Sequence, residues 1–143
     1  MKSAFAIFIA AVTVSIIWPL GILGVTWLLN IFFALDTPSR LSNFIANWVP
    51  SVISGAAAGF AAMTLIRIIA GAGNVKLLFI TSGIAGFVIA LVAFITMTDV
   101  NPKYAQLLPR VLVASALGYW LPFVLLPNTN EAAGDKDTSD AKT

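Results

Sequence analysis

The sequence predicts an all-α, polytopic integral membrane protein: a four-helix transmembrane bundle over residues 1–127, then a disordered polar tail over 128–143. Three observations predict it. Hydrophobic residues make up 59% of the chain and charged ones 10%, against roughly 45–50% and about 25% in soluble domains. The mean hydropathy is +0.97, and a chain so poor in polar residues could not cover its own surface in water. Short polar segments divide the rest into four long apolar runs, each near the length of about 20 residues that crosses about 30 Å of hydrocarbon. A chain of 143 residues has room for one domain.

The first run extends over residues 3–35 without a charge. Its start, MKSAFAIFIAAV, imitates a signal peptide, but no polar cleavage region follows. The apolar sequence continues through WPLGILGVTWLLNIFFAL, so the reading is an uncleaved first span. Pro19 removes a backbone donor inside it and favours a kink near Trp18. The indole N–H of Trp18 then needs a partner within the bundle. The connection DTPSRLSN, 36–43, carries Pro, Ser, Asn and one charge of each sign, which marks it as water-exposed.

The second span covers 44–70, with Pro50 in its first two turns, and the turn GAGNVK supplies glycines to end it. The third span, 77–98, carries no charge. In the segment DVNPKYAQLLPR, Pro109 is placed to start the last span, 110–126, which is the shortest and contains Pro122. From Asn128 onward there is no aromatic or large aliphatic residue, so that tail can bury nothing of consequence.

Within this frame the small residues carry the clearest pattern. Lipid tails are as apolar as leucine, so close backbone approach and dispersion, rather than water-driven burial, hold helices together in a bilayer. Gly55 and Gly59 form a GxxxG pair that Ser51 extends, with Ala58 and Ala62 beside it. Ser82, Gly86 and Ala90 repeat the spacing on the third span, with Gly83 alongside. Because a tight turn joins spans two and three, the expectation is that these two small faces meet. Gly55 and Gly59 could also serve self-association.

The functional reading rests largely on absences. The chain has no cysteine and no histidine, which removes disulfides, thiolate and imidazole metal sites, and Cys or His catalysis. No cofactor and no metal are expected. The net charge is +2 and the basic residues are scattered singly, so nucleic acid is not an expected partner. No acidic residue lies inside a span, whereas proton-coupled carriers commonly use carboxylates or histidines there. The candidate functional polar residues are Asn30, Asn47 and Arg67. Isolated Ser and Thr side chains satisfy themselves on their own helix, but Asn does so less readily, and Arg67 at its helix end can snorkel to headgroups.

Four spans put both termini on one side. The Lys/Arg bias, with Lys2, Arg67, Lys76 and the tail lysines on that side, favours termini in the cytoplasm; the expected location is the bacterial cytoplasmic membrane. Trp27, Trp48 and Tyr104 approach the opposite interface, and Tyr119 and Trp120 the terminal one. Taken together, these features predict a non-enzymatic structural or accessory subunit of a membrane complex. The alternative is a homo-oligomeric pore, channel or small-solute transporter, with a phage-type lytic pore as a sub-case. Besides the lipid bilayer, the expected partners are further copies of the chain or a foreign membrane subunit.

Overall fold

In the computed structural model, four helices follow one another: α1 (Lys2–Phe33), α2 (Arg40–Ala70), α3 (Val75–Met97) and α4 (Pro102–Leu125). The structure describes residues 1–33, 40–71, 74–97 and 102–125, without the side chains of 33, 40–43, 47 and 102–105. All four helices are long and apolar enough to cross a membrane. The polar tail at 128–143 lies outside the described residues.

Two helix starts differ from the expected spans. α2 begins at Arg40 rather than near 44, so part of the expected first loop is helical. α4 begins at Pro102, and Pro109 stands inside it. Pro102 takes the first helical position, where its missing N–H is not needed, and the KYAQLL that follows contains good helix formers. α1 runs unbroken past Pro19. Between α2 and α3 the chain reverses through Gly71 (φ 75°) and Asn74 (φ 44°). These residue types tolerate the left-handed region best. The Gly71 N–H donates to the Arg67 carbonyl at 3.2 Å and closes α2.

Each helix buries a stripe of four-residue rhythm. On α1 it is Ala6, Ala10, Val14 and Trp18; on α3 it is Leu78, Ser82, Gly86 and Ala90. α2 buries two such rows, from Ser51 and Ser54 through Gly55, Ala58, Gly59 and Ala62 to Met63 and Ile66. α4 contributes Ala114, Ser115, Gly118, Tyr119 and Pro122. This spacing is the i±4 ridge along which helices interdigitate.

The order of helices around the bundle departs from the expectation. α2 packs closely on α1 and on α4, and α3 packs on α1, whereas α2 and α3 touch over a shorter stretch. The ring order is therefore α1, α2, α4, α3. α2 and α4 run parallel, since Gly55 faces Ser115 and Gly59 faces Tyr119. α1 and α3 also run parallel, with Val14 against Gly86 and Trp18 against Phe87. The small faces of α2 and α3 thus do not meet each other; each takes a different partner. A tight turn limits how far apart two helix ends can lie, but it does not decide which faces dock.

Candidate functional site

The α2–α4 contact is made by backbone. A Cβ built on Gly55 would collide with the carbonyl oxygen of Ser115, and one on Gly118 with that of Val52. A Cβ on Gly59 would lie 2.5 Å from the Tyr119 carbonyl oxygen and 3.0 Å from Cγ of Pro122. Only glycine allows this approach, in which Cα–H groups can point at carbonyl oxygens of the facing helix. Ser51 is buried in the same face, and its carbonyl accepts the Ser54 hydroxyl at 3.2 Å. A Cβ on Gly21 of α1 would meet Cβ of Ser54 at 2.6 Å, so α1 comes equally close on the other flank.

Gly86 receives the side chain of Val14, whose Cβ lies 2.6 Å from where a glycine Cβ would stand. Ser82 is buried and donates to the Phe79 carbonyl at 3.0 Å. Its Oγ also lies 3.2 Å from the hydroxyl of Tyr119 on α4. Tyr119 in turn donates to the Phe79 carbonyl at 2.8 Å and stacks on the Phe79 ring with centroids 4.3 Å apart. Gly83 makes room for that ring, since a Cβ there would lie 2.5 Å from Cε1 of Tyr119.

One further bond crosses the middle of the bundle. The Trp18 indole N–H donates to the Ser115 hydroxyl at 2.6 Å, and the indole meets Phe87 edge-on at 4.9 Å. The required partner for Trp18 is therefore a serine on α4. Three helices meet here, with Trp18 from α1, Ser82 and Phe87 from α3, and Ser115 and Tyr119 from α4.

The other candidates are not gathered into this junction. Asn30 is exposed near the end of α1, Arg67 is half-buried in the last turn of α2, and the side chain of Asn47 lies outside the described residues. Ala90 is buried at the wall of a cavity between α1, α3 and α4. Sequence reasoning misses Gly21, Ser115, Gly118 and Tyr119. It assigns Tyr119 to the membrane interface, but the residue is only 5% exposed, while its neighbour Trp120 is 38% exposed. The overlooked signal is the four-residue spacing of Ala114, Gly118 and Pro122, with Ser115 and Tyr119 beside it.

α3 and α4 are held together by side chains rather than by close backbone approach. Toward the α2–α3 turn, Phe79, Tyr119, Trp120 and Phe123 fill the gap, and the Lys76 ammonium sits 5.7 Å from the Phe123 ring centre. Toward the other end the gap is a cavity of about 330 Å³. Trp18, Pro19, Ile22 and Leu23 line it from α1, Ala90, Leu91 and Phe94 from α3, and Leu107, Leu108 and Val111 from α4. No group of three or more His, Cys, Asp or Glu side chains suited to a metal ion occurs among the described residues. No family model, no curated protein and no solved structure matches this chain.

Proposed function

We propose that the protein is a non-enzymatic small integral membrane protein, a structural or accessory subunit of a larger complex. Its place in this reading is the bacterial cytoplasmic (inner) membrane, with both termini in the cytoplasm. The observation that carries the reading is the chemistry of the interior. Ser51, Ser54, Ser82 and Ser115 are its buried polar residues among those described, together with the Tyr119 hydroxyl and the Trp18 indole. Every buried side-chain N or O among the described residues has a hydrogen-bond partner. The described helices contain no acidic residue.

Proton-coupled carriers commonly work through carboxylates or histidines inside the membrane. An interior of satisfied hydroxyls and glycine-to-backbone contacts instead favours a rigid scaffold. The outer surface, with large apolar side chains such as Phe8, Leu20, Trp27, Ile68 and Val124 exposed, suits lipid or a partner helix.

The homo-oligomeric pore is the second reading, and one observation favours it. Gly24 of α1 has open space where a Cβ would stand, amid exposed Leu20, Leu23, Trp27 and Leu28. A helix of a second copy could seat there, whereas the Gly55/Gly59 face is already occupied by α4. Mass measurement of the protein extracted in native lipid separates the two. A foreign subunit in fixed ratio supports the accessory role. A closed ring of this chain alone, conducting in a planar bilayer, replaces it with the pore.

A further inference from the structure

The cavity between α1, α3 and α4 has a distinct chemistry. Its walls are Leu, Ile, Val, Phe and Ala side chains with Pro19 and Trp18. The one polar side-chain atom among these residues, the indole nitrogen of Trp18, is engaged by Ser115. A cavity of this kind offers water no partners. Apolar cavities of about 150 Å³ stay dry and accept benzene-sized molecules, and this one holds about 330 Å³. It is not sealed: Leu23 is 67% exposed and Phe94 44% exposed, so its mouth opens on the lateral surface of the bundle. Its floor, by contrast, is closed by buried Trp18 and Ala90.

On the reading that the helices span a bilayer, that lateral surface faces lipid tails. Close packing leaves no energetically neutral void of this size, because each wall atom without a neighbour forfeits its dispersion contacts. The matter available to fill it is a hydrocarbon chain. Arg110 then supplies the second requirement. It follows Leu107 of the cavity wall by three residues, a spacing that makes the two side chains neighbours on α4, and it is exposed. In the sequence it closes the polar segment DVNPKYAQLLPR and stands at the start of the last uncharged apolar run. From the end of such a run an arginine side chain reaches the headgroup level.

We propose that this cavity is a binding site for an anionic phospholipid, which places one acyl chain between α3 and α4 against Trp18 and its phosphate at Arg110. The proposal rests on the membrane reading of the four helices. The acyl chain fills the space between α3 and α4 that the polypeptide leaves open, and this makes the lipid a structural component of the bundle.

The test uses Trp18 as the reporter. In the full chain carrying Trp27→Phe, Trp48→Phe and Trp120→Phe, Trp18 is the remaining tryptophan. The protein is reconstituted into phosphatidylcholine vesicles, and part of the lipid is replaced by brominated phosphatidylglycerol or brominated phosphatidylcholine. Bromine on an acyl chain quenches an indole only on close approach, and buried Trp18 is shielded from bulk lipid. The expected result is saturable quenching, with phosphatidylglycerol about fivefold preferred, the factor that one basic side chain near a membrane surface supplies.

Arg110→Gln, a change at an exposed position, should abolish that preference while leaving helicity and mass unchanged. Ala90→Phe, which fills the cavity from its floor, should suppress the saturable quenching by both lipids. If Ala90→Phe does not fold, the Arg110→Gln comparison decides alone. Equal quenching by the two lipids in the parent protein overturns the headgroup contact and with it the site. Quenching that persists in a folded Ala90→Phe protein overturns the acyl-chain position. Protein that fails to sediment with vesicles at all overturns the membrane reading itself, a separate failure from loss of headgroup preference.

Discussion

Trp18 of α1 and Ser115 of α4 share a hydrogen bond of 2.6 Å between two helices that otherwise make little backbone contact. The same serine lends its carbonyl oxygen to the close approach of Gly55. One residue of α4 therefore ties α1 and α2 together, by side chain in one direction and by backbone in the other. Removing the hydroxyl strands a buried indole N–H, and an unmet buried donor costs about 1–3 kcal/mol. Ser115→Ala should lower thermal stability accordingly. Because the indole is then already unpaired, adding Trp18→Phe should subtract less than it does in the wild-type background. Strictly additive melting shifts would mean that the bond contributes nothing.

The glycine contacts allow a sharper comparison. Gly59→Leu must displace the Tyr119 backbone and Pro122, whereas Phe60, one position around the helix, is 39% exposed. Overpacking of this sort costs about 1–3 kcal/mol. Gly59→Leu should therefore reduce the melting temperature of the protomer, and Phe60→Leu should barely change it. The loss should appear in the protomer itself rather than only in an oligomer, because the contact is within one chain. Wild-type behaviour of Gly59→Leu would break the packing account of α2.

Gly24 provides the matching control on α1. With nothing within 4 Å of the place a Cβ would occupy, Gly24→Leu should leave protomer stability unchanged and gain slightly in helix propensity. A large destabilisation would show that α1 has a neighbour there, and loss of a native-lipid oligomer without unfolding would favour the pore.

Tyr119 and Ser82 should differ in their contributions. The tyrosine hydroxyl donates its one proton to the Phe79 carbonyl across to α3, while the serine hydroxyl donates to that same carbonyl within its own helix. Interhelical hydrogen bonds in membrane proteins average about 0.6 kcal/mol and reach about 1.7. Tyr119→Phe should fall toward the upper figure and Ser82→Ala below it. Chemical denaturation in mixed micelles orders the two; the reverse ranking would remove Tyr119 as the clasp between α3 and α4.

The proposed topology is checked with single cysteines, for which the chain is well suited because it contains none. A cysteine at Ser39, between α1 and α2, and one at Asn74, between α2 and α3, should react with an impermeant reagent from opposite faces of the membrane. Labelling of both from the same face contradicts four crossings.

By itself the sequence determined the number of helices and their apolar character, because both follow from length, hydropathy and the placement of charges. It also determined that the stripes at Gly55/Gly59 and Ser82/Gly86/Ala90 would be small, and that Trp18 would need a partner. Only the tertiary structure decided which surfaces those features meet. A glycine stripe accepts any backbone that comes near, so the pattern of α2 reads the same against α3 as against α4. The choice fell to groups spread over three helices: Val14 entering the notch at Gly86, Tyr119 reaching the Phe79 carbonyl, and Ser115 bonding Trp18. Each is a pairing between residues distant in sequence, fixed by shape and hydrogen-bond geometry, and local hydropathy carries no trace of either. The cavity beside Pro19 has the same origin, since a void belongs to the space between helices and to no helix alone.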